Sequence, residues 1–101
     1  MAKRLNPAQK KELRGQILLF LYDIHPYESS QESVAETYYE YWEYDDIIQA
    51  LEYLCGKGYV QKREIVSPLG GFEKIRKYVI TPTGIDLCDQ TTDDNGVYVR
   101  R

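Results

Sequence analysis

Residues 44–81 read YDDIIQALEYLCGKGYVQKREIVSPLGGFEKIRKYVIT, and this stretch decides the fold. From Ile47, the apolar residues Ile47, Ala50, Leu51, Leu54 and Cys55 fall at i, i+3, i+4, i+7 and i+8, on one face of a helix that must be buried. Gly56-Lys57-Gly58 ends that helix, because glycine enters the left-handed conformation of a terminating turn without a Cβ clash. Tyr59 to Val66 and Phe72 to Thr81 mix β-branched and aromatic residues with charged ones. Ser67-Pro68-Leu69-Gly70-Gly71 between them has turn chemistry. The stretch therefore predicts a helix followed by a β-hairpin.

Toward the N-terminus, Asn6-Pro7 reads as an N-cap with proline at the first helical position, where its missing N–H costs nothing. Leu13, Ile17, Phe20, Leu21 and Ile24 continue as a core stripe that ends at His25-Pro26. Gly15 lies inside this helix, so either another element packs closely there or the weakening is simply tolerated. Ser29-x-x-Glu32, or a cap at Ser30, opens a second helix with Val34, Ala35 and Tyr38 inward. Residues 38–44 hold the turn into the third helix, where Asp45 and Asp46 favour the helix dipole. Beyond the hairpin, Thr81-Pro82 caps a short last helix from Ile85 to about Gln90, with Ile85 and either Cys88 or Leu87 inward. Thr91 to Gly96 is polar and turn-like, and Val97 to Val99 reads as either a small extra strand or a loose end.

One domain with a single core suits a chain of 101 residues that is 43% hydrophobic. No apolar run approaches the roughly 18 residues of a membrane span, and no signal-peptide pattern leads the chain, so a cytoplasmic location is the expectation. Cys55 and Cys88 read as buried thiols rather than a disulfide. With His25 the only histidine, a zinc site has too few ligands, and no cofactor is expected.

Charge is segregated along the chain. Residues 15–56 carry nine acids (Asp23, Glu28, Glu32, Glu36, Glu40, Glu43, Asp45, Asp46 and Glu52) and no Lys or Arg. Thirteen bases against seven acids make up the remainder. A solvated surface usually mixes signs, so this separation constrains what the middle of the chain can touch.

Three helices, a hairpin and a short helix, an α+β arrangement, is the order of a winged helix-turn-helix domain. The run Ala50-Leu51-Glu52-Tyr53-Leu54-x-x-Lys57-Gly58-Tyr59-Val60, with Tyr78-Val79-Ile80-Thr81-Pro82-Thr83-Gly84, resembles the winged-helix superfamily, particularly bacterial regulators of the MarR and PadR kind. The resemblance covers roughly residues 7–90. It implies a three-helix core, a third helix offered to the DNA major groove, and a wing near Pro68 to Gly71 offered to the backbone or minor groove. It also implies a homodimer paired through terminal segments, although the last helix here is short and the tail polar.

The chain departs from that pattern on the reading helix. Where such regulators present groups that approach phosphates and donate to base edges, this sequence has Glu40, Glu43, Asp45, Asp46, Gln49 and Glu52. An acidic head removes the phosphate attraction that brings such a domain to DNA. The expected nucleic-acid contacts are therefore Lys62 and Arg63 on one strand of the wing and Lys74, Arg76 and Lys77 on the other. Lys10, Lys11 and Arg14 of the first helix, with Lys3 and Arg4, extend that patch. The plain alternative is a solvated sheet face.

The second candidate is the aromatic and acidic cluster Tyr38, Tyr39, Tyr41, Trp42, Tyr44, Asp45 and Asp46, with Tyr27 and Tyr53 nearby. Some of these rings belong to the core, and the others either cover the turn or anchor a basic protein partner. A basic patch on a second copy of the chain is one such partner, and that association weakens with salt. Enzymatic activity is not expected: Asp45 and Asp46 lie side by side on a helix start, and no nucleophile is paired with a base.

Overall fold

The computed structural model describes residues 4–67 and 74–100. Helices α1 (Pro7–Ile24), α2 (Gln31–Tyr38), α3 (Tyr44–Gly56) and α4 (Pro82–Cys88) accompany strands β1 (Ser29–Ser30), β2 (Val60–Val66) and β3 (Lys74–Ile80). The strands form an antiparallel three-stranded sheet in the order β1-β3-β2. The result is a small α+β domain, and no helix among the described residues is long and apolar enough to cross a membrane.

Local chemistry sets the helix ends. Asn6 and Gln9 form a reciprocal capping box at α1, each side chain bonding the other's backbone N–H. Ser30, not Ser29, caps α2 by accepting from the Ser33 N–H at 3.1 Å. Thr81 caps α4 through the Gly84 N–H at 3.1 Å. After α3, Gly58 stands at φ +82°, the left-handed position that only glycine takes at no steric cost, and it turns the chain directly into β2.

The core forms where α1 crosses α3 above the base of the sheet. Leu13, Ile17, Leu18 and Leu21 of α1 meet Ile47, Ala50, Leu51 and Leu54 of α3, with Val34, Tyr78 and Ile80 closing the interior. Most of the stripes read from Ile47 and Leu13 is thus buried, but Phe20, Ile24 and Cys55 are half-buried, and Leu18, outside the stripe, is fully buried. Tyr78 is fully buried and donates its hydroxyl to Gln31 Oε1 at 3.0 Å, while the Gln31 amide donates to Tyr44 Oη at 2.8 Å. This relay ties the sheet to the starts of α2 and α3, so each buried polar end has a partner.

Several expectations change. The two-residue β1 lies where only a helix cap was read, pairing Ser29 with Tyr78 and Ser30 with Lys77. The last helix starts at Pro82 and stops at Cys88, short of Gln90, because Gln90 itself turns to φ +64°. Leu87 and Cys88 are both buried, while Ile85 is only half-buried. Val97 to Val99 is neither a strand nor loose: Val97 is buried, and the Tyr98 N–H donates to the Lys11 carbonyl at 3.1 Å. Gly15 is there for close packing, since a β-carbon on it would stand 1.5 Å from the Tyr98 carbonyl oxygen. The hairpin turn at Pro68 to Gly71, with Phe72 and Glu73, lies outside the described residues.

Candidate functional site

The register of β2 against β3 divides the hairpin cations between two faces. Arg63 pairs with Lys77, Glu64 with Arg76, and Val66 with Lys74. Because side chains alternate along a strand, Lys62, Lys74 and Arg76 share the face that buries Val60, Tyr78 and Ile80, whereas Arg63 and Lys77 lie on the other. Each face carries its own carboxylates. Lys62 Nζ is 3.4 Å from Glu52 of α3, Lys74 Nζ is 3.7 Å from Glu64, and Arg76 Nε is 4.0 Å from the same group. On the opposite face Arg63 holds Glu28 with two bonds, Nε to Oε2 at 2.9 Å and Nη2 to Oε1 at 2.5 Å. That fork lowers the carboxyl pKa of Glu28 and raises that of the guanidinium. Lys77 has no ion pair within 4.0 Å among the described residues. The single basic patch read from the sequence is thus two small faces of mixed sign.

The cations of α1 also differ from one another. Lys10 and Lys11 are exposed, as is Arg4, and Lys3 lies outside the described residues. Arg14 serves the packing of the domain, because its guanidinium lies 3.6 Å from the centroid of the Tyr53 ring and donates to the Gly96 carbonyl at 3.1 Å. Lys10 and Arg14 border a groove of about 320 Å³ whose other side carries Asp46, Gln49 and Glu52 of α3. Tyr53 therefore belongs to the contact between α1 and α3.

The acidic surface is largely without ion pairs among the described residues. Glu40, Glu43 and Asp45 are exposed and Asp46 is half-buried. None of the four has an ion pair among the described residues, whereas Glu52 has Lys62. Asp45 and Asp46 occupy the first turn of α3, where the helix dipole stabilises them without neutralising them.

Among the rings, Tyr39 and Tyr41 are 65% and 81% exposed, and Tyr44 is also exposed although its hydroxyl is held by Gln31. Tyr27 is exposed as well, ahead of β1. Tyr38 and Trp42 instead pack against the core. Tyr38 donates its hydroxyl to the Gln16 carbonyl at 2.9 Å, and Trp42 donates its indole N–H to Gln16 Oε1 at 3.3 Å. Burial, with Asp23 adding to it, pushes the Tyr38 hydroxyl pKa up to about 12. These two rings fix the turn on α1, so the two beyond them, Tyr39 and Tyr41, stand out on a rigid base.

Sequence reading missed Glu28 and Glu64 as partners of the hairpin cations. It also missed Gln16, which anchors both turn aromatics. Glu64 carried a signal, since it lies between cations on a strand whose register sets it opposite Arg76. Glu28 and Gln16 act over long sequence separations and carried none. Comparison with protein-family models, with curated proteins and with solved structures finds no match to this chain.

Proposed function

We propose that the chain is a winged helix-turn-helix regulatory module whose partner contacts are made by its acidic, tyrosine-rich α2–α3 surface rather than by a DNA-reading helix. The order of three helices, hairpin and short helix, with α3 packed across α1, supports the winged-helix reading. One contrast carries the choice of surface. Glu40, Glu43, Asp45 and Asp46 have no ion pair within 4.0 Å among the described residues, while Lys62, Arg63, Lys74 and Arg76 each have one. A phosphate backbone gains affinity by replacing counterions on free cations, and it is repelled by free carboxylates. Exposed tyrosines on a fixed base bury large areas at little entropic cost, which suits a protein partner of basic character.

DNA binding along α1 and the hairpin is the second reading. Lys10, Lys11 and Lys77 favour it, being without ion pairs among the described residues. Exposed ion pairs are also weak enough for phosphate to compete with them. An electrophoretic shift with random duplex DNA at low salt separates the two. The acidic surface as the contact predicts no shift. A shift that disappears in the combined Lys74→Glu, Arg76→Glu, Lys77→Glu variant establishes the hairpin instead.

A further inference from the structure

We infer that the groove between α1 and the turn joining α2 to α3 receives an arginine side chain of a basic protein partner, with Glu12 as counter-charge and Tyr41 as the stacking face. The inference rests on the acidic-surface proposal above and specifies the residue type that surface selects.

The groove has a volume of about 420 Å³ and is lined by Glu12, Gln16, Thr37, Tyr38, Tyr41 and Trp42. Its inner wall is fixed, because both Tyr38 and Trp42 are bonded to Gln16 and packed on the core. Its outer wall is Tyr41, 81% exposed. Arg100 approaches Glu12 from the neighbouring depression, but residues 15–56 contain no lysine or arginine, and Glu36, Glu40 and Glu43 are exposed nearby in sequence. Such a site repels phosphates and carboxylates and attracts a cation that can lie flat against a ring.

The same molecule already shows both halves of this chemistry. The Arg14 guanidinium lies over Tyr53, and the Arg100 guanidinium lies 5.3 Å from the centroid of Tyr98. Arg100 also places Nη2 3.2 Å from Glu12 Oε1, reaching it from a small depression that Glu12 and Gln16 share with Leu19 and Tyr98. Glu12 thus takes the Arg100 guanidinium and also lines the aromatic groove. A carboxylate accepts from more than one donor, so a second arginine can approach from the groove. Arginine is favoured over lysine because its planar, weakly hydrated guanidinium stacks on tyrosine while its edge donates to the carboxylate.

Trp42, the only tryptophan, lies in the wall and reports occupancy by its fluorescence. The intact chain is titrated at low salt with a peptide of alternating arginine and glycine, and with a charge-matched lysine–glycine peptide. The expected result is a change in Trp42 emission with the arginine peptide and affinity about tenfold above that for the lysine peptide. Glu12→Gln and Tyr41→Ala should each cost about tenfold in affinity for the arginine peptide, and neither side chain is needed by the core. Equal affinity for both peptides, with Glu12→Gln and Tyr41→Ala unchanged and Asp45→Asn, Asp46→Asn weakened, overturns the groove and leaves the acidic surface standing. Failure of both peptides to bind overturns the two together.

Discussion

Tyr98 lays its carbonyl oxygen against the α-carbon of Gly15, where a β-carbon would come within 1.5 Å of the oxygen and 2.5 Å of its carbon. The Tyr98 backbone is held there by its N–H bond to Lys11, with the Arg14 bond to the Gly96 carbonyl alongside. The obstruction is therefore main chain and cannot turn aside like a flexible side chain. Gly15→Ala gains up to about 1 kcal/mol in helix propensity. It must also displace the segment that buries Val97, at a cost of about 1–3 kcal/mol for overpacking. The expected outcome is a lower midpoint in urea denaturation, and a higher midpoint would mean that the C-terminal segment does not press on α1.

Two buried tyrosines, Tyr59 and Tyr78, and the half-buried Tyr38 should lower stability at alkaline pH. Burial pushes Tyr38, Tyr59 and Tyr78 each up to about 12, helped by Asp23, by the hydrogen-bonded Asp94 and by Glu52 respectively. In the unfolded chain these hydroxyls ionise near 10.0. Below pH 10 neither state has released the protons and the tyrosines contribute no pH dependence. Between pH 10 and about 12 the unfolded chain has lost protons that the folded chain keeps, so stability falls as pH rises. Urea denaturation on either side of pH 10, with tyrosinate absorbance followed in parallel, checks this. A midpoint that does not move across that window would contradict it.

Carboxylates on both faces of the hairpin engage its described cations except Lys77. Removing them in a Glu28→Gln, Glu64→Gln variant frees Arg63, Lys74 and Arg76 without touching the core. The variant should acquire non-specific duplex binding at low salt that declines steeply as salt is added, and the unaltered chain should show none. If it gains nothing, ion pairing is not what separates this hairpin from a phosphate backbone.

Legibility in the sequence follows the distance over which each signal acts. The stripes from Leu13 and Ile47, the caps at Asn6 and Thr81 and the glycine turn at Gly58 are set within a few residues, and the fold follows them. β1 was invisible because two serines have no periodicity, and its existence depends on partners far along the chain, Tyr78 for Ser29 and Lys77 for Ser30. That strand carries the neighbouring Glu28 to the hairpin, so missing it also hid the pairing with Arg63. The charge imbalance of residues 15–56 was plain to read. Which charges were engaged with one another was not, since Lys62–Glu52 and Arg63–Glu28 form only once the sheet and α3 are assembled. Tyr38 is read as inward from its place on the second helix, but Trp42 could not be distinguished from Tyr39 and Tyr41; its bond to Gln16 on α1 separates it.

Amide chemical-shift mapping at low salt, with random duplex DNA in one titration and the arginine–glycine peptide in another, tests most directly which surface makes contact. If the unpaired carboxylates and exposed rings carry the contact, the peptide shifts amides between Tyr39 and Gln49 and around Glu12, and the duplex shifts none. Shifts at Lys62, Arg63 and Lys74 to Lys77 on adding the duplex, with Tyr39 to Gln49 silent toward the peptide, would contradict it.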